Sequence, residues 1–318
     1  MTTLNVPARE IPVPSSISPE AQMALSFPVS ADSTFPALDD LEGWRSHVVE
    51  RDAEISPLVI GHAGELPVHD EIRSIAGVPV AIVTIPDVTD DRIVLDFHGG
   101  ALIYMGGAAC TAMARMAAAQ RQMITWGPDY RMAPDHPHPA PLDDCLAVYR
   151  ALLDERPAER IVVAGASAGG NLAAALCVRA REEGLPQPAA LVLQTPEVDL
   201  TESGDTFRTN LGVDSVLTPL MPVNVLHAAG HDLAHPHLSP LFADLEGFPP
   251  TILTTGTRDL FLSNTVRMHR ALRRANVEAE LHVLEAGPHT GFMGLAPEDA
   301  EIVAEVRRFI DHNCPPEG

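Results

Sequence analysis

The sequence predicts an α/β fold: a mostly parallel sheet of eight strands with helices on both faces. Three observations predict it. Short runs of β-forming residues alternate with helical stretches from about residue 69 to the C-terminus. The apolar run Ile161-Val162-Val163-Ala164 passes through Gly165-Ala166-Ser167-Ala168-Gly169-Gly170 into the alanine- and leucine-rich stretch that begins at Asn171. The alternation breaks once, between Thr201 and Ser239, in a stretch rich in glycine and proline. Strands that alternate with helices pair in parallel through right-handed crossovers, which place helices on both faces.

The elements follow in order. Residues 11–19 are rich in proline and serine, and Ser18-Pro19-Glu20 reads as an N-cap, a proline at the first helical position and an acidic first turn. A weak helix is predicted over 39–49. This is too little periodic material for a core of its own, so 1–60 is expected to be the N-terminal part of a cap on a main body of 61–318. Runs 71–75 and 78–85, separated by Ala76-Gly77, read as an antiparallel pair. Further strands are predicted at 92–97, 122–126, 160–164, 190–195, 251–255 and 279–284. Helices are predicted at 111–121, 143–154, 171–183, 263–275 and 297–312. The segment 201–235 is too long for a plain connection and reads as a cap insertion over the strand ends, where open α/β sheets hold their active sites.

Composition narrows the function class. In 318 residues, 46% hydrophobic and 20% charged content supports a sizeable core. No apolar run approaches the roughly 20 residues of a membrane span, and the N-terminus carries no basic-then-apolar signal pattern. A formal charge of −22 argues against nucleic acid and anionic membrane surfaces and favours neutral or cationic small molecules. Cys110, Cys145, Cys177 and Cys314 form no C-x-x-C pair and read as small buried thiols in a reducing cytoplasm.

A strand, a tight glycine turn and a helix are what a nucleophilic serine needs, because the turn lifts the Ser167 hydroxyl clear of the sheet. The remaining chemistry has candidates at the ends of other strands. Strand 92–97 runs into His98-Gly99-Gly100-Ala101, where two glycines let backbone N–H groups of Gly99 and Gly100 turn inward beside that of Ala168, as oxyanion donors. His98 reads as a structural residue of that loop. Asp259, just past strand 251–255, is the candidate acid. His289, between the last strand and the terminal helix, is the candidate base. The chain order Ser167, Asp259, His289 is the one expected of this architecture. Tyr104 and Met105 read equally as acyl-pocket lining or core packing, and Glu197 as a solvated loop residue or a polar contact at the pocket mouth. His136 and His138, with His231, His235 and His237, resemble loose metal clusters, but proline interrupts both, so no metal is expected.

At these residues the chain resembles the hormone-sensitive-lipase-like (bacterial type IV) carboxylesterases of the α/β-hydrolase fold. His98-Gly99-Gly100-Ala101 is similar to the family's HGGG element, Asp129-Tyr130-Arg131-Met132-Ala133-Pro134-Asp135 to DYRLAPE, and Gly165–Gly170 to GDSAGG. Pro141-Leu142-Asp143-Asp144, Ser239-Pro240-Leu241 with Phe248-Pro249-Pro250-Thr251, and His289-Thr290-Gly291-Phe292 continue the likeness. The resemblance implies a Ser167, Asp259, His289 triad, an oxyanion hole from Gly99, Gly100 and Ala168, and cofactor-free cleavage of short- to medium-chain carboxylic esters through an acyl-enzyme. Lactones or amides are alternative substrates for the same triad, and a non-catalytic ligand receptor is a remote one. It also implies dimerisation through edge strand 279–284. Three departures stand out: Ala101 for the third glycine, Ala166 for the common aspartate, and Thr290 inserted after His289.

Overall fold

The computed structural model describes residues 4–26, 34–88 and 90–316. A hairpin of β1 (His69–Ile75) and β2 (Val78–Thr84) leads into β3 (Ile93–Phe97), β4 (Ile124–Pro128), β5 (Ile161–Ala166), β6 (Ala190–Gln194), β7 (Thr251–Gly256) and β8 (Ala279–Leu284). Their spatial order is β1-β2-β4-β3-β5-β6-β7-β8, with β1 and β2 antiparallel and every pairing from β4 to β8 parallel. The helices are α1 (Pro19–Ala24), α2 (Leu41–Gly64), α3 (Ala108–Arg121), α4 (Ala140–Glu155), α5 (Ala168–Glu182), α6 (Thr206–Thr209), α7 (Met221–Ala228), α8 (Leu262–Arg274) and α9 (Pro297–Asn313).

Central strands buried on both faces explain why their sequences are continuous apolar runs instead of alternating ones. Ile161, Val162, Val163 and Ala164 of β5 have no exposed surface, and each larger side chain so buried contributes about 1.5–3 kcal/mol. One face packs on α4 and α5 through Tyr149, Leu152, Leu172 and Leu176, and the other packs on α9 through Val306, Phe309 and Ile310.

Two elements differ from the pattern reading. α2 spans 24 residues and continues through Pro57, although Ser56-Pro57 has the form of a helix stop. Its far end is fixed from outside: the Arg115 guanidinium of α3 donates to the carbonyls of Ala63, Leu66 and Val68, a tertiary cap that no local signal announces. β4 begins at Ile124, not Gln122. Gln122 closes α3 in a left-handed conformation (φ 55°) and donates its N–H to the Ala118 carbonyl at 2.7 Å. Near the N-terminus, Ser18 caps α1 and also donates from its N–H and hydroxyl to the Glu298 carboxylate at 2.7 and 2.8 Å, fastening the segment to α9. Residues 201–239 leave the sheet and carry α6 and α7.

Candidate active site

Ser167 sits between β5 and α5 with φ 56° and ψ −121°, a backbone conformation that costs an L-residue about 1–3 kcal/mol. The surroundings enforce it. A Cβ built on Gly169 would stand 1.9 Å from the Phe97 carbonyl oxygen, and one on Gly165 would stand 2.2 Å from the Gly169 carbonyl oxygen. Only hydrogen fits at those two positions, so β5, β3 and α5 close around the turn and push the serine outward. Its N–H donates to the Gln194 carbonyl at 2.9 Å. Its side-chain hydroxyl makes no hydrogen bond to a described residue.

The loop after β3 lies directly against this turn. A Cβ on Gly99 would meet the Ser167 Cβ at 3.4 Å, and Gly100 adopts φ +123°, where a Cβ would stand 2.3 Å from the Tyr104 carbonyl oxygen. Ala101 and Leu102 also take positive φ, 53° and 63°. The loop thus keeps its left-handed path although Ala101 replaces a glycine, at a cost of roughly 1–2 kcal/mol. What holds the path is polar. His98 Nδ1 is 2.7 Å from the Gly99 carbonyl oxygen, its ring stacks on Tyr130 at 4.2 Å, and the Tyr130 hydroxyl donates to the His98 carbonyl at 2.7 Å. Burial keeps the His98 imidazole pKa below its ordinary value. Next along the chain, Arg131 grips Asp144 through its backbone N–H and a bidentate guanidinium contact at 2.7–3.1 Å. The motif residues around 129–144 are therefore the scaffold of the glycine loop.

On the other side, His289 Nδ1 is 3.0 Å from Asp259 Oδ1, and both residues are buried. Asp259 is itself fixed by the Thr255 hydroxyl at 2.6 Å and the Phe261 N–H at 2.8 Å. The sequence reading did not include a second carboxylate, that of Asp214, which has no exposed surface. Its Oδ1 accepts from the N–H groups of Val216, Leu217 and His289, and its Oδ2 accepts from Leu260 N–H at 2.7 Å. Asn210 adds a bond from its amide to the Asp259 carbonyl at 2.8 Å. Nothing in Asp214-Ser215-Val216-Leu217 separates it from any turn-forming aspartate, since its long-range partners lie 46 and 75 residues away. Burial alone would depress the His289 imidazole; the charges of Asp259, Asp214 and Glu197 outweigh it and raise its pKa above the ordinary histidine value. Thr290 takes φ 66° and Gly291 φ 71°, and the turn they make is held by Asp299, which accepts from Phe292 and Gly294 N–H at 2.9 Å. The inserted threonine is thus absorbed within one turn.

Glu197, expected in a solvated loop or at the pocket mouth, is instead wholly buried beside the nucleophile turn. Its N–H donates to the Ser167 carbonyl at 3.1 Å, and its own carbonyl accepts from Asn171. Neither carboxyl oxygen has a hydrogen-bond partner, and the nearby Asn224 amide is spent on the Leu200 carbonyl at 3.3 Å. Burial pushes this carboxyl up to about 8, so it is mostly neutral below that pH. Tyr104 and Met105 belong to an apolar cluster with Trp44, Phe207, Leu220 and Phe261. The Tyr104 hydroxyl pairs with His47 at 2.8 Å, and the Met105 N–H donates to Asp52, so both tie the glycine loop to α2. His138 packs near His227, His231 and His235, with ring centroids 5.2–6.5 Å apart. Among the described residues no three of these histidines bring ligand atoms within 4.8 Å of one another.

Residues 94–293 match a family model described as the alpha/beta hydrolase fold. The chain is 30% identical over 226 residues to an esterase of Acinetobacter venetianus, covering 69% of this chain and 74% of the relative. It is 31% identical over 284 residues to the carboxylesterase NlhH of Mycobacterium tuberculosis, covering 83% and 85%. Among solved structures, esterase E25 superposes with a TM-score of 0.88 at 34% identity, covering 98% of this chain and 99% of that one. With the sheet order and the strained serine turn, these matches show that the chain belongs to the hormone-sensitive-lipase-like carboxylesterase family of the α/β-hydrolase fold.

Proposed function

We propose that the protein is a serine esterase that hydrolyses short- to medium-chain carboxylic esters through an acyl-enzyme, with Ser167, His289 and Asp259 as its triad. The observation that carries this reading is the Ser167 turn. A backbone cost is sustained there by steric closure on three sides, and a buried imidazole–carboxylate pair of the matching chemistry is present in the same fold. Asp259 fixes the tautomer in which Nδ1 carries the proton, leaving Nε2 as the base for the Ser167 hydroxyl. That contact forms when substrate orders the site, as catalytic hydrogen bonds commonly do. The N–H groups of Gly99, Gly100 and Ala168 then receive the oxyanion, and water attacks the acyl-enzyme with His289 again as base.

The apolar cluster of Trp44, Phe207, Leu220, Val223, Leu260 and Phe261 supports the described parts of residues 1–60, together with 201–235, as a cap that covers the glycine loop, with Tyr104 and Met105 at its inner wall. Among the described residues β8 pairs with β7 alone, which supports it as a dimer edge. No described helix is long and apolar enough to cross a membrane, and four free buried cysteines suit a reducing compartment such as the cytoplasm.

S167A is expected to lower turnover of a p-nitrophenyl acetate or butyrate ester by about 10⁴- to 10⁶-fold and to abolish labelling by a fluorophosphonate. Near-normal turnover would refute the mechanism. Matched ester, lactone and amide substrates separate the esterase reading from its alternatives, with the ester turned over fastest.

A further inference from the structure

Beside the glycine loop, three side chains that the esterase reaction does not use come together. A ring nitrogen of His98, the sulfur of Cys110 and a carboxylate oxygen of Asp129 lie within 4.8 Å of one another. His98 Nδ1 is committed to the Gly99 carbonyl, and Nε2 is buried with no hydrogen-bond partner, although the residue is only 3% exposed. Cys110 has only long contacts to backbone carbonyls, 3.5 and 3.7 Å to Pro128 and Gly127. Asp129 spends one oxygen, Oδ1, on the Gly107 N–H. A cleft of about 330 Å³ between the β1–β2 hairpin and the start of α3 reaches this group, with Cys110 and Asp129 in its wall.

The geometry points to a thiophilic divalent-cation site, of the Zn²⁺ class, formed by His98 Nε2, Cys110 Sγ and Asp129, whose occupancy is transmitted to the Gly99–Gly100 loop. The donor set selects the metal. Thiolate and imidazole favour Zn²⁺, Co²⁺ or Cd²⁺ over Mg²⁺ or Ca²⁺, and three protein ligands leave one position for water. Tetrahedral bonds of about 2.0–2.3 Å fix the spacing of the donors, so binding sets the positions of the three side chains. The Cys110 thiol gives its proton to solvent as the metal–sulfur bond forms. Metal binding thereby stabilises an anion that burial otherwise resists, since burial holds the free thiol well above its usual range. His98 cannot move alone, because its ring hydrogen-bonds the Gly99 carbonyl and stacks on Tyr130. A displacement of about 1 Å passed to Gly99 can cost roughly 10²-fold in rate. The coupling to rate rests on the proposed oxyanion role of Gly99 and Gly100; the binding does not.

The test uses the full chain and two readouts. Titration with Cd²⁺ should produce a thiolate-to-metal charge-transfer band saturating at one ion per chain, absent in C110A and weakened in D129N, which keeps the acceptor for Gly107. Zn²⁺ should inhibit ester turnover at a concentration that rises at least about tenfold in C110A, each variant being compared with its own metal-free rate. A band or inhibition curve unchanged by C110A overturns the site. A normal band with Zn²⁺ leaving the rate untouched overturns the coupling alone. Loss of all esterase activity in S167A with the Cd²⁺ band intact keeps the binding site distinct from the catalytic reading.

Discussion

The two halves of the candidate active centre are built by different physics. At the serine turn the determinants are contiguous and steric: within Gly165–Gly170, two missing side chains let β3, β5 and α5 approach, and the resulting backbone aims Ser167 outward. At the histidine end the determinants are scattered and electrostatic. His289, Asp259, Asp214 and Asn210 come from three separate segments, and each is held by hydrogen bonds that span tens of residues. A nucleophile can be positioned by shape alone. A base must also be given a proton affinity, and that takes charges which the chain carries elsewhere.

Three substitutions test that contrast. The largest effect is expected at the charge-built end. D259N should lower kcat by about 10⁴-fold while leaving the fold intact, because the amide favours the wrong imidazole tautomer; kcat beside a far-ultraviolet spectrum checks it. G169A attacks the shape-built end. Its Cβ meets backbone, not a flexible side chain, so a stability loss of about 1–3 kcal/mol or more is expected. Misplacing Ser167 by about 1 Å adds roughly 10²-fold in kcat/KM. Thermal melts with turnover should show both losses together, whereas D259N shows only the second. The smallest effect is D214N, a positioning residue. In the proposed mechanism the neutral imidazole is the base, so activity should fall as pH drops through the His289 pKa, which is raised above its ordinary value. Removing the Asp214 charge lowers that pKa, so the acid limb of the kcat/KM profile should move to lower pH, with about a tenfold loss at the optimum from the lost acceptor for the Leu260 N–H beside Asp259. An acid limb unchanged in D214N would overturn the contribution of Asp214 to the shift.

The same division explains what could be read from the chain. Ser167, the glycines before and after it, and Gly99-Gly100 were legible because each constraint is local: a turn that admits no Cβ leaves glycine in the sequence. The central strands β3, β5, β6 and β7 are legible because burial on two faces leaves continuous apolar runs, and the exposed β1 is legible through its Ala76-Gly77 turn into β2. α2 was read at less than half its length, since the cap that sustains it comes from Arg115 across the interface. Asp214 carried no signal, because a buried acceptor of four N–H groups and a surface turn residue are the same letter.

What the sequence determined by itself is therefore the sheet, the strained turn at Ser167 and the chain order of the candidate triad. Short-range sterics and hydrophobic periodicity are written in neighbouring residues. Only the tertiary structure decided which carboxylates surround His289, which face of the loop His98 turns toward Cys110 and Asp129, and that Glu197 is buried without a partner. Proton affinities and ligand sets depend on through-space distances, and those exist only once distant segments have packed.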